Sequence, residues 1–251
     1  MIEVKNLYKR YDGDYVLNDV SAQFEPGKCN LIIGRSGSGK TVLLKSIAGL
    51  IEVDEGEIWY DEQKFSHLDT KSKQKIRKEM GVLFQGAALF DSLTVEENVL
   101  FPLDMFTAQT RKQKLERANF CLERVRVTGS NQLFPAELSG GMKKRVAIAR
   151  AIALNPKYLL CDEPNSGLDP KTAIVIDNLI KDLTEEFQMT TIINSHDMNS
   201  VLEIGDKVIF IYQGCKSWEG NREEILKTNN EALNNFVFAT KMAQQIKEKD
   251  S

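Results

Sequence analysis

The octet Gly34-Arg35-Ser36-Gly37-Ser38-Gly39-Lys40-Thr41 constrains this chain more than any other stretch, because it has the phosphate-cradling spacing of Gly, four residues, then Gly-Lys-Thr. The apolar run Leu31-Ile32-Ile33 leads into it, and a helical pattern from Val42 through Leu43, Leu44 and Ile47 to Leu50 leads out. The loop is therefore expected between a strand and a helix. Glycines there let backbone N–H groups turn inward around anionic oxygens, while the next helix points its positive end at them. Residues Gly34 to Gly39 form the expected cradle, and Lys40 reaches the β- and γ-phosphates. The Thr41 hydroxyl supplies one ligand to Mg²⁺, a hard cation that prefers oxygen donors.

With 251 residues, the chain is long enough for one large or two intimately joined subdomains. A net charge of −3 and a pI near 5.6 create no global basic field, so nucleic acid is not expected as the principal partner. No apolar run reaches the roughly 18 residues of a spanning helix, and Met1-Ile2-Glu3-Val4-Lys5 is no secretory signal. Cys29, Cys121, Cys161 and Cys215 are widely spaced with no CxxC pair. They read as reduced, mostly buried thiols of a cytoplasmic protein.

Ile2, Val4 and Leu7 begin an alternating strand, and Val20 to Phe24 form another across the turn at Asp12-Gly13-Asp14. Tyr8, Tyr11 and Tyr15 near that turn offer rings on which a base can stack. Gly56 to Tyr60 resume a strand, and the basic run Lys71 to Lys78 reads as a solvated helix face. His67 is expected to face solvent. Met80 to Gln85 read as a short strand ending on a glutamine that faces the ligand crevice of an open α/β sheet. Thr94-Val95-Glu96-Glu97 has capping-box form, and Pro102 disfavours a long uninterrupted helix after it.

Residues 86–155 are expected to be largely helical, closing with Leu138-Ser139-Gly140-Gly141-Met142 and the helical pattern Lys143 to Leu154. Ser139, Gly140 and Gly141 sit at a helix N-terminus, a second anion-binding geometry. Tyr158 to Glu163 form an apolar strand ending in two carboxylates. Asp162 is expected to hold the metal and Glu163 to polarise the attacking water. Thr190 to His196 form another strand, and its terminal His196 aims at the same crevice as Lys40, Gln85 and Glu163. Val208 to Tyr212 and Lys216 to Glu219 read as a hairpin. The tail from Glu231 places Leu233, Phe236, Val237, Thr240 and Ala243 on one helical stripe, which packs on its own domain or docks a partner.

Taken in order, Gly34 to Thr41, Gln85, Leu138 to Met142, Leu160 to Glu163, Ser166 to Asp169 and His196 resemble the motif set of an ABC-transporter ATP-binding subunit. The resemblance implies an α/β fold, a P-loop NTPase (RecA-like) ABC ATPase core with an antiparallel β subdomain and an inserted α-helical subdomain. It implies a single nucleotide-binding domain over 1–240, with its core at 1–85 and 156–230, the helical insert at about 86–155, and a C-terminal helical tail at 231–251. By the same similarity ATP and Mg²⁺ are the cofactors. Tyr11 stacks adenine, Gln85 senses Mg²⁺ and the membrane partner, and Ser139 to Gly141 meet the γ-phosphate bound by an opposite subunit. His196 then steadies the γ-phosphate and the water. The implied partners are a second copy in an ATP sandwich dimer, integral membrane permease subunits and a small regulatory protein at the tail. The implied place is the inner face of the cytoplasmic membrane.

A finer likeness lies in Gly81 to Gln85 with Ala88 to Val95, and in Leu138 to Arg145, which resemble the ATPase of Mla-type phospholipid transport systems. Met142 replaces the glutamine usual in ABC ATPases but fits that subfamily, and Asn165 stands where threonine is usual. The competing readings are a soluble ABC-type ATPase acting as a mechanical module on ribosomes or DNA, and an ABC subunit for another substrate. Such mechanical modules carry two cassettes or long coiled-coil inserts, and neither is visible here. No Asn-Lys-x-Asp tetrad suggests a GTPase, and a small-molecule kinase would leave the Ser139 cap without purpose.

Overall fold

The computed structural model describes residues 1–238. Two strands, β1 (Ile2–Tyr11) and β2 (Asp14–Phe24), open the chain as a hairpin whose register sets Tyr11 opposite Asp14. They are followed by β3 (Cys29–Ile33), α1 (Lys40–Ile47), β4 (Glu55–Tyr60), the short β5 (Gln63–Lys64), α2 (Thr70–Lys78) and β6 (Met80–Leu83). Then come α3 (Val95–Phe106), α4 (Arg111–Arg124) and α5 (Gly140–Ile152). The chain returns through β7 (Tyr158–Asp162), α6 (Pro170–Phe187), β8 (Thr190–Ser195), α7 (Met198–Ile204), β9 (Lys207–Tyr212), β10 (Cys215–Gly220) and α8 (Glu231–Val237).

These strands form two sheets. The first is antiparallel in the order β2-β1-β4-β5, and the second runs β10-β9-β3-β8-β7-β6 with only the β10 edge antiparallel. Strands β3, β7 and β8 are buried along their whole length, as expected of parallel strands covered on both faces. One core packs this sheet against α3 to α7, and a second lies between the two sheets around Phe24, Ile32, Leu43 and Tyr60. The fold is thus a RecA-like P-loop core joined to an antiparallel sheet and a helical subdomain.

Local signals account for most boundaries. Thr94 and Glu97 cap α3 reciprocally, and Thr110 and Gln113 do the same for α4. The Lys71 to Lys78 run lies on α2 with Ile76 turned inward and the charges outward. The expectation for Pro102 fails, since α3 runs through it for 12 residues. Proline removes one intrahelical donor and crowds the preceding turn, but Val95, Val99, Leu100 and Leu103 all bury into the core and outweigh that cost.

Asn98, fully buried on α3, accepts from the Phe90 N–H at 2.9 Å and donates to the carbonyls of Phe90, Leu93 and Thr94 at 3.1, 3.0 and 3.0 Å. It ties down the turn in front of the helix. Cys29, Cys121 and Cys161 are buried free thiols, and burial pushes Cys29 up to about 12 and Cys121 up to about 11. His67 is exposed beside Ser66. Leu233 and Val237 of α8 are buried, whereas Thr240, Ala243 and the tail lysines lie outside the described residues.

Candidate active site

β3 delivers the glycine loop to the carboxyl edge of the parallel sheet, and α1 begins at Lys40 with Gly39 as its N-cap. Gly39 has φ 106°, and a Cβ there would stand 2.6 Å from the Val16 carbonyl oxygen, so the close approach to β2 requires glycine. The Ser38 carbonyl accepts from the Gly214 N–H at 3.2 Å, which fixes the loop from the other side. Inside it, the Lys40 ammonium donates to the carbonyls of Gly34 and Arg35 at 2.8 and 3.0 Å. Burial lowers the Lys40 pKa against the opposing influence of Glu163 and Asp162. The Ser38 hydroxyl is buried with no hydrogen-bond partner. A cationic head on weak acceptors and an orphaned hydroxyl in one cradle fit a phosphate chain.

Beside the loop, β7 and β8 place Asp162 directly opposite Asn194. The Asn194 amide donates to Asp162 Oδ1 at 2.9 Å, and the Thr41 hydroxyl donates to the same oxygen at 3.3 Å. One carboxylate and one hydroxyl suit Mg²⁺, which takes one or two protein oxygens and fills its shell with phosphate and water. Among the described residues no cluster of three or more His, Cys, Asp or Glu is placed to hold a metal ion.

Glu163 follows the strand end with φ 49°, and its N–H donates to the Asn194 carbonyl at 3.0 Å. Its Oε1 lies 3.0 Å from His196 Nδ1, and its Oε2 accepts from the Gln85 amide at 3.2 Å. Gln85 also donates to Ser166 Oγ at 3.2 Å. These bonds bring Gln85, Glu163 and His196 together, while none of the described Gln85 bonds reaches Thr41 or Asp162. The expectation that Gln85 ends a strand is corrected, because β6 stops at Leu83 and Gln85 lies in the turn that follows Phe84. That loop contains Ala87 and Ala88 at φ 62° and 49°, each left-handed residue costing roughly 1–2 kcal/mol.

Two α5 cations hold the strained loop, and sequence reasoning missed both. The Lys144 ammonium donates to the Gln85 carbonyl, and Arg150 donates to the carbonyls of Ala88 and Ala87 at 2.8 and 3.0 Å. Burial lowers the pKa of both cations. Their signal was a Lys on the helical stripe that also carries Ala147, Ile148 and Ile152 inward. Asn194 was also missed, and only sheet register reveals it.

The Ser139 hydroxyl caps α5 by accepting from the Met142 N–H at 3.2 Å, and Ser139 and Gly140 are exposed. A Cβ on Gly141 would stand 2.8 Å from Thr172 Cγ2, so this turn lies against the start of α6. No described hydrogen bond links it to the glycine loop. Of the three tyrosines, Tyr8 and Tyr15 face one another at 5.8 Å and Arg10 covers Tyr15 at 4.1 Å. Tyr11 is 46 % exposed, with Lys9 over its ring at 5.5 Å. It stands at the tip of the hairpin whose Val16 touches the glycine loop.

A phosphate cradle, a metal-side carboxylate and a second carboxylate beside a histidine, all at neighbouring ends of one parallel sheet, define a P-loop ATPase. Residues 17–166 match the ABC transporter family, described as ABC transporter, and the chain belongs to it. It is 39 % identical over 240 residues to the methionine import ATP-binding protein MetN of Clostridioides difficile, covering 94 % of this chain and 74 % of that protein. It is 41 % identical over 239 residues to the intermembrane phospholipid transport system ATP-binding protein MlaF of Haemophilus influenzae, covering 94 % and 90 %. The dimeric structure of MJ0796, a bacterial ABC transporter cassette, superposes with a TM-score of 0.81 at 36 % identity over 88 % of this chain and 99 % of that one. The protein is therefore an ATP-binding, ATP-hydrolysing subunit of an ABC transporter. No described helix is long and apolar enough to cross a membrane.

Proposed function

We propose that this subunit drives phospholipid transport between envelope membranes, working as an ATP-sandwich pair against a membrane permease. The reading is supported by the resemblance of Gly81 to Gln85, Ala88 to Val95 and Leu138 to Arg145 to Mla-type ATPases, together with 41 % identity to a phospholipid transport subunit along 90 % of its length. In this reading, Gly34 to Lys40 hold the phosphates, Thr41 and Asp162 hold Mg²⁺ with Gln85 beside them, and Tyr11 stacks the adenine. The metal neutralises charge on the phosphate chain when bound. Glu163 orients the water and accepts its hydrogen bond, and His196 holds the Glu163 carboxylate and the γ-phosphate. Catalysis is positioning and electrostatics, with no covalent intermediate.

The Ser139 to Gly141 turn, with Ser139 and Gly140 exposed and the Ser139 hydroxyl capping α5, presents backbone donors outward, which supports a second copy as its complement. The nucleotide-binding domain spans 1–240 in this reading, and the C-terminal tail at 231–251 is the contact for a small regulatory protein. A groove of about 740 Å³ between α2, α3 and α5 is lined by Phe84, Phe90, Phe101, Met105 and Phe106. It adjoins Gln85 through Phe84, and its exposed aromatic wall suits an apolar helix of the permease at the inner membrane face.

Co-purification from membranes with a permease, followed by ATP-dependent phospholipid movement in reconstituted vesicles, tests the reading. Recovery with ribosomes and no permease defeats it, and stimulation by methionine in place of lipid reassigns the cargo. Glu163→Gln tests the catalytic assignment, with ATP binding expected to remain and turnover to be lost.

A further inference from the structure

Asp177 lies on the stripe of α6 that carries Ala173, Ile176, Ile180 and Leu183 into the core, and it is 2 % exposed. Burial pushes its carboxyl up to about 6, opposed by hydrogen bonds from Ser200 and Asn165. An apolar residue would serve packing better at such a position, so the partners of the carboxylate carry its meaning. The Asn165 amide donates to Asp177 Oδ2 at 3.2 Å and to Ser200 Oγ at 2.7 Å. The loop after β7, helix α6 and helix α7 therefore meet at one side chain.

Asn165 is two residues beyond Glu163, whose left-handed backbone costs on the order of 1–3 kcal/mol and persists only where its surroundings fix it. Before Glu163, the Asn194 carbonyl receives its N–H. After it, the Ser166 N–H donates to the Glu163 carbonyl at 3.2 Å and the Leu168 N–H to the Asn165 carbonyl at 3.2 Å. Ser200 belongs to the helix that starts two residues after His196. One amide thus joins the turn behind Glu163 to the helix behind His196, and those two side chains touch at 3.0 Å. A threonine hydroxyl, with a single proton, cannot donate to both Asp177 and Ser200, whereas an asparagine amide has two N–H groups.

We propose that Asn165, braced by Asp177 and Ser200, is a positioning residue that holds the Glu163 carboxylate against His196 for hydrolysis. The inference rests on Glu163 being the residue that orients the water. ATP turnover is measured on the full chain for Asn165→Ala, Asp177→Leu, their double variant and Asp177→Asn, with Glu163→Gln alongside. Asn165→Ala lowers kcat about tenfold and leaves KM for ATP within about twofold, the signature of lost positioning after binding. Asp177→Leu gives the same loss, and the double variant falls no further than either single change. Asp177→Asn, which keeps an acceptor for Asn165, recovers most of the turnover.

Wild-type kcat in Asn165→Ala, a rise in KM in place of the kcat loss, or losses that multiply in the double variant would overturn the inference. If Asp177→Leu does not fold, Asn165→Ala and Asp177→Asn decide it by the same split. An inert Glu163→Gln beside a fully active Asn165→Ala removes the positioning role alone. A fully active Glu163→Gln removes the catalytic assignment and this inference with it.

Discussion

Helices α1 and α5 both begin on glycine-rich turns that offer free backbone donors and a positive dipole end, yet their surroundings differ. The start of α1 is enclosed by the β2 backbone, the Gly214 turn, Asp162 and the buried Lys40. The start of α5 is capped by Ser139, with Ser139 and Gly140 open to solvent and the Leu168 and Thr172 side chains near its glycines among the described residues. The difference teaches that a helix N-terminus becomes a site through the charged and polar groups fixed around it. One turn has those groups around it, and the other presents the same donors toward solvent among the described residues.

The comparison breaks most sharply at Lys40. Lys40→Ala should lower turnover by about 10³-fold and weaken ATP binding, measured by steady-state kinetics and nucleotide titration, because a buried charge facing the phosphates is lost. Ser139→Arg probes the open turn. It should leave ATP binding to the isolated chain within about twofold while cutting turnover by about 10²-fold, since a cation placed at a closing interface is left without a partner. Sizing of Glu163→Gln protein with ATP should show a dimer that the added Ser139→Arg change abolishes; a persistent dimer would mean that α5 does not close on a second copy.

Lys144→Met should reduce turnover about tenfold while ATP affinity stays near wild type, as the Gln85 carbonyl loses its donor. An effect on binding alone would detach this contact from hydrolysis. Tyr11→Ala should weaken ATP about fivefold, read by nucleotide titration, with Tyr15→Ala changing little, since one stacked ring is worth roughly 1 kcal/mol. The smallest effect belongs to Thr94→Ala, which should cost about 1 kcal/mol of stability in denaturant melts through the lost cap and leave turnover unchanged.

Much of this was legible in the chain because it depends on local spacing. The strand–loop–helix unit at Gly34 to Thr41, the two carboxylates after an apolar run, the Thr94 capping box and the hairpin at β9 and β10 all follow from neighbours in sequence. The strand ends were less legible. Gln85, Glu163 and His196 each fall one or two residues past their strands, where the backbone leaves the ladder and turns its side chains into the crevice. Periodicity tracks apolar side chains and says little about where hydrogen-bonded pairing stops. Pro102 was misread for a related reason, as burial of its neighbours is a tertiary effect. Asn194, Lys144, Arg150 and Asp177 emerge through register and packing, although Lys144 and Asp177, charged residues on apolar stripes, carried a signal that pattern reading passes over.

The Asn98 knot has one more consequence. By fixing the Phe90 to Thr94 turn from within, it holds Phe90 against Phe101 at 4.6 Å before anything arrives at the groove. The ordering entropy of that ridge is spent during folding, so a helix that lies along it immobilises little on this side. For the permease helix proposed above, association there should approach rigid-body docking, and changes in that helix should register as changes in how long it stays more than in how fast it arrives.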